Sequence, residues 1–271
     1  MSFSPVIPFG GYAGWKFLTR TREAQQQAFT QSESVNRTEQ YFRERIGQID
    51  SAKDLVADFR LLSVSLRAFG LSDDISNKYF VQKVLEEGTL DPEAFANRLA
   101  DKRYAAFSRE FGFGDYAVPR TKLSDFADRI LDRYEDQAFE EAVGTQNDQL
   151  RLAMNAEREL GTIAGKSISG DAKWLTILGS APLREVFQTA FGLPEAFAGI
   201  DLDKQIEVLK DRSERFLGFS DIAGFGEGEA SEHLIRLYLL RSDNAGFGAA
   251  YSSAASALTL LQGGSARARA F

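Results

Sequence analysis

Apolar residues recur at helical spacing along most of this chain. Leu55, Phe59, Leu62, Leu66 and Phe69 are separated by 4, 3, 4 and 3 positions, which places all five on one face of a helix. Ser51-x-x-Asp54 stands before them as a capping box with Asp in the place of Glu. Residues 74–87 read as another helix, stopped at Gly88. Asp91-Pro92 then reads as the start of one that carries Phe95, Leu99, Tyr104 and Phe107 toward Phe111. Over residues 121–143 the pattern predicts an amphipathic helix. Leu123, Phe126, Ile130, Tyr134, Ala138 and Ala142 lie on one side, and Asp125, Asp128, Asp132, Asp136 and Glu140 on the solvated side. Residues 145–164 continue as helix.

The second half carries shorter periodic segments at 171–178, 180–191 and 201–217. Residues 231–241 are apolar almost all round, as in a central buried helix. A final helix over 247–261 spaces Phe247, Tyr251, Ala254, Leu258 and Leu261 regularly against a face of Ser, Thr and Ala. Period-2 alternation and Asn-Gly hairpin turns are missing, so the expected fold is all-α.

Two of these segments share an ending. RLLSVSLRAFGL at 60–71 and PLREVFQTAFGL at 182–193 are identical at six of twelve aligned positions, including the whole AFGL. Such an ending is a stop signal. The glycine takes the left-handed conformation and the following leucine folds back on the last turn. The expected architecture is therefore a multi-helix bundle of two related helical repeats, the second shorter. An extended aromatic and glycine-rich arm covers 1–19, the first repeat 20–170, and the second repeat with the C-terminal helices 171–271; the repeats are free to pack as one domain.

Charge and composition remove several function classes. The 39 acidic and 32 basic residues leave a net charge of −7, which disfavours phosphate backbones and anionic membrane surfaces. No cysteine is present, so thiolate chemistry and cysteine metal sites are absent. The amino-terminal stretch has no positive charge before Lys16 and is broken by Pro5 and Pro8, unlike a secretory signal, and no segment suits a membrane span. The expected location is the cytoplasm, with signal-less export through a specialised apparatus as the alternative.

Candidate chemistry fails on inspection. Ala164-Gly165-Lys166-Ser167 resembles part of a phosphate loop, but position 160 is Leu where the motif needs glycine. His233 is the sole histidine, so a two-histidine metal pair cannot be built from it. No catalytic, cofactor or metal residue is therefore assigned. The candidate partner-binding residues are Tyr12, Trp15 and Phe17 in the amino-terminal arm and Phe247, Tyr251 and Leu258 in the uncharged last helix. The arm either lies across the protein's own core or docks on a neighbour.

The run YFRERIGQIDSAKDLVADFRLLSVSLRAFGL, continued by KVLEEGTLDPEAFANRLADKRYAAFSREFGFGD, closely resembles a bacterial domain-of-unknown-function family. WLTILGSAPLREVFQTAFGLP and IDLDKQIEVLKDRSERFLGF carry the likeness into the second half, so that it spans about residues 20–225. Members of that family often occur beside flagellar genes. The resemblance implies a helical protein linked to motility and brings no catalytic residues. The expectation is a non-enzymatic flagellum-associated protein in an accessory structural or assembly role, its partners being other proteins. A cytoplasmic export chaperone or adaptor, and a small-ligand-binding helical domain unrelated to motility, are the alternatives.

Overall fold

A computed structural model describes residues 3–226 and 228–250. Among these residues the chain forms thirteen α-helices and no strand. Local sequence chemistry sets most of the boundaries. Ser51 accepts the N–H of Asp54 at 3.2 Å and its hydroxyl returns a bond to the Asp54 carboxylate at 2.7 Å, opening α3 (Ala52–Ala57). The helical face counted from Leu55 to Phe69 does not run through unbroken. Asp58 is extended at φ −91°, ψ 103°, and caps a separate helix, α4 (Phe59–Ala68), by accepting from the N–H groups of Arg60 and Leu61 at 2.9 and 3.0 Å. Its other oxygen accepts the Tyr41 hydroxyl at 2.6 Å. The break turns Phe59 off the buried face, where it is 61% exposed.

Both AFGL endings take the expected geometry. Gly70 and Gly192 sit at φ +66° and +64°. In each, the leucine N–H reaches back to the residue five positions earlier, Leu71 to Leu66 O and Leu193 to Gln188 O, both at 2.9 Å. The glycine N–H bonds the third residue back, Arg67 O or Thr189 O. The surroundings differ: α4 packs along α8 (Phe126–Gly144), whereas α11 (Ala181–Phe191) packs on α9 (Asp148–Ala164) and α13 (Gly228–Ala250).

Other expected helices are divided or shifted. Residues 72–76 form a 3-10 turn before α5 (Lys78–Glu86). Asp91-Pro92 opens no helix; α6 (Phe95–Arg98) and α7 (Arg103–Phe111) are separated by an extended Leu99. Helix α8 begins at Phe126, because residues 116–125 form a loop around Pro119. Asn147 caps α9 by accepting from Leu150 N–H at 3.0 Å, so 145–147 is a turn between two helices. Glu140, expected on the solvated side, is buried, because Arg158 of α9 pairs with it at 3.2 Å. The second half follows its caps more closely. Ser169 opens α10 (Gly170–Gly179) and Asp201 opens α12 (Leu202–Leu217).

The amino terminus corrects the expected arm. Only residues 3–10 are extended; 11–19 belong to α1 (Gly11–Thr30), which runs on to α2 (Glu33–Arg45). The glycines allow close packing here. A Cβ on Gly14 would collide with the carbonyl oxygen of Phe9, and one on Gly11 would collide with the Asp243 carboxylate. The short arm crosses the protein's own core. Gln25 pairs with both backbone groups of Val6, at 2.7 and 3.2 Å, and Phe3 packs edge-on against Phe29.

Helices α8 and α9 form the central hairpin. Helix α4, with α2 beside it, covers α8; α3, α5 and α7 complete that side. Helices α11 and α13 cover α9, and α10 and α12 lie outside them. Helix α1 crosses α8, α9 and α13, tying the two sides together. The buried apolar residues of both halves form one continuous core.

Candidate functional site: the exposed apolar surfaces

The six candidate partner-binding residues separate into three groups. Tyr12 and Trp15 face inward to α13. Glu232 accepts the Tyr12 hydroxyl at 2.7 Å, the Trp15 indole N–H at 2.9 Å and the Lys16 ammonium at 3.1 Å. Burial opposes ionisation of Glu232, but the hydrogen bonds from Trp15, Tyr12 and Lys16 outweigh it and hold the carboxyl below the usual carboxylate range. The same bond raises the Tyr12 phenol. Trp15 is fully buried, with the Arg22 guanidinium 5.5 Å from its ring centroid, so it fastens α1 to α13 and offers no docking surface. Phe17 is half-buried and turned to the other side, edge-on to Phe9 at 6.4 Å with Arg20 over its ring. Val6 and Phe9 beside it are exposed. Phe247 lies within α13; Tyr251 and Leu258 lie outside the described residues.

A second surface escaped the sequence reading. The loop between α7 and α8 presents Tyr116, Val118 and Leu123 to solvent, Val118 at 67% exposure, around an open groove of about 480 Å³. The loop is tied down at both ends. Asp115 accepts the N–H groups of Thr89 and Leu90 at 2.5 and 3.0 Å, and Gly114 presses so close to Glu86 O that a Cβ there would collide with it. Thr121 donates to Ile49 O at 2.8 Å, and Lys122 reaches Gly47 O at 2.9 Å and Asp50 at 2.6 Å. Arg120 stacks 5.2 Å from the Tyr116 ring centroid and, among the described residues, pairs with no carboxylate. The available signal was three apolar residues flanking Pro119; helical periodicity carried Leu123 into α8 instead.

A polar cavity of about 170 Å³ lies between α1, α8 and α9, lined by Arg22, Gln26, Asp136, Glu140, Glu157 and Arg158. Its charges satisfy one another: Arg22 pairs with Glu157 at 2.5 Å, Gln26 donates to Asp136 at 2.5 Å, and Arg158 pairs with Glu140. Burial raises the Glu140 carboxyl despite Arg158. This arrangement holds helices together and aims no nucleophile at the space. His233 is exposed on α13, Gly165 ends α9, and among the described residues no His, Asp and Glu group could hold a metal ion. No helix there is long and apolar enough to cross a membrane.

A family model described as a protein of unknown function (DUF1217) matches residues 68–227. The X-ray crystal structure of a protein from Agrobacterium tumefaciens, a structural genomics target, is similar at a TM-score of 0.72 and 27% sequence identity, covering 89% of this chain and 98% of that one. No curated protein matches the sequence.

Proposed function

The chain belongs to the DUF1217 family of proteins of unknown function, and from that membership we propose that it acts by touching other proteins, without catalysis, as an accessory structural or assembly part of the flagellar system. The observation that carries the contact reading is the anchored loop bearing exposed Tyr116, Val118 and Leu123. Apolar side chains held rigidly in water lose little conformational entropy on docking, which favours association. Arg120 beside them calls for a partner segment that pairs apolar side chains with a carboxylate. The polar cavity, whose charges pair among themselves, supports a non-enzymatic reading. The flagellar assignment draws on the gene neighbourhood that the family resemblance implies.

The test replaces Val118 and Leu123 together by Asp in the chromosomal gene and compares swimming and filament formation with a full deletion. Both strains are expected to swim poorly, while the purified double variant melts at the wild-type temperature. Normal motility in the full deletion removes the flagellar role. Normal motility in the double variant alone removes this loop as the contact. Fractionation into cytosol, basal body and medium distinguishes a structural part from an export chaperone.

A further inference from the structure

The anchored loop between α7 and α8 carries opposite charges on either side of an apolar residue. Tyr116, Ala117 and Val118 are exposed before the buried Pro119, and Leu123, Ser124 and Asp125 are exposed after it. Tight turns hold the two parts together. Lys122 N–H donates to Pro119 O at 3.2 Å, Leu123 N–H to Arg120 O at 3.0 Å and Phe126 N–H to Leu123 O at 3.2 Å. Arg120 and Asp125 therefore flank Leu123 within two consecutive turns. Among the described residues Arg120 has the Tyr116 ring and hydroxyl beside it and no carboxylate. Asp125 pairs with Arg129, yet its side chain stays 63% exposed.

Taking this loop as the contact surface proposed for it, we propose that its partner is a second copy of the chain, docked face to face about a two-fold axis. A surface with a cation, an apolar centre and an anion in that order is complementary to itself. An axis passing between Arg120 and Asp125 sets the guanidinium of each copy against the carboxylate of the other, with Leu123 between them. Val118, the most exposed of the three apolar side chains, then enters the open groove of the opposing loop. A projecting side chain and a hollow on one face are what an isologous contact requires.

Charge favours this face over the rest of the molecule. The chain carries −7 overall, so two copies repel each other across most of their surface. Residues 116–125 depart from that balance, with Arg120 and Lys122 against Asp125 alone. Anchoring at Asp115, Thr121 and Lys122 keeps the two charges and the groove in register, so little order is lost on docking.

The test is sedimentation equilibrium of the purified full chain. A single-loop contact belongs with small, weak interfaces, so the protein is examined from about 5 to 500 μM. The weight-average mass is expected to rise from 30.0 kDa toward twice that value. Val118→Asp should abolish the rise. Arg120→Glu and Asp125→Arg should each raise the dissociation constant about tenfold, because like charges then face each other across the axis. The double variant Arg120→Glu with Asp125→Arg should return to within about threefold of the wild type. A mass of 30.0 kDa at every concentration overturns the self-contact, as does a dimer that Val118→Asp leaves intact. A double variant that associates no better than Arg120→Glu removes the pairing of Arg120 with Asp125. If Asp125→Arg, which also loses Arg129, fails to fold, Val118→Asp and Arg120→Glu still decide. A monomer whose loop variant swims poorly turns the same surface toward a foreign partner and sinks the self-contact alone. A dimer broken by Val118→Asp, with normal swimming in the loop variant, keeps the self-contact and removes the motility role of the loop.

Discussion

The Trp15 indole N–H meets Glu232 Oε2 at 2.9 Å across 217 positions of chain, and the Tyr12 hydroxyl takes the other oxygen. Two donors on one turn of α1 are thus satisfied by one acceptor on α13. Glu232→Ala leaves both without that partner and is expected to cost about 2–3 kcal/mol, read from the urea midpoint at constant m-value. Glu232→Gln keeps an accepting oxygen and should cost less. The carboxyl is held below its ordinary range, so its contribution is present above that range and lost as pH falls through the lower folded value. The wild type should therefore lose more stability than Glu232→Gln on acidification. Equal acid sensitivity of the two proteins would remove the ionised clasp.

Gly70 and Gly192 occupy the left-handed region, where a side chain costs about 1–2 kcal/mol. Ala at either position should lower stability by about that amount. In both places a Cβ would also press on an arginine, Arg103 Nη1 at 3.1 Å or Arg241 Nη1 at 2.9 Å. Gly161 provides the opposite control. It lies inside α9, and a methyl group there would meet nothing within 4 Å, so Gly161→Ala should stabilise by about 0.5–1 kcal/mol. Thermal melts of the three variants check the signs; a stabilising Gly70→Ala would refute the cap reading.

What the sequence disclosed was local chemistry. Ser51 with Asp54 and the two AFGL endings could be placed because each signal lies within one turn of the bond it makes. The failures involve partners distant in sequence. Glu140 looked like one more member of an acidic row until Arg158, arriving from the next helix, drew it inside. Trp15 and Phe17 looked equally suited to docking; only the position of Glu232 on α13 separates the buried one from the half-buried one. Gly10, Gly11 and Gly14 suggested an extended arm, whereas Gly11 and Gly14 admit Asp243 and Phe9 O against the start of α1. The Tyr116 loop was hidden because Leu123 fits the α8 period that the chain does not adopt there.

Asp58 shows how one side chain divides a helix that periodicity joins. Asp58→Ala removes a cap on α4 and the acceptor of Tyr41, and should cost about 1–2 kcal/mol. Asp58→Asn retains an accepting oxygen and should recover most of the cap. Tyr41→Phe should destabilise the wild type and do so much less in Asp58→Ala. Chemical denaturation of the four proteins gives the coupling directly. Additive losses would mean that Tyr41 and Asp58 stabilise the fold separately.

Glu140 and Arg158 form the pair at the centre of the α8–α9 hairpin. Burial disfavours each charge alone, raising the Glu140 carboxyl and opposing the Arg158 cation, which its carboxylate partners nonetheless keep protonated. Removing one partner strands the other, so Glu140→Ala or Arg158→Ala should each cost about 3–5 kcal/mol. Glu140→Leu combined with Arg158→Met replaces two charges by apolar groups of similar reach and should be less destabilising than either single truncation. Arg158 also pairs with Glu159, which faces solvent more than Glu140 does and can regain water when the arginine is lost. Denaturant midpoints for the two truncations and the double replacement decide it. If the double replacement falls below both singles, the pair supplies more than mutual neutralisation and the hairpin depends on its hydrogen bonds.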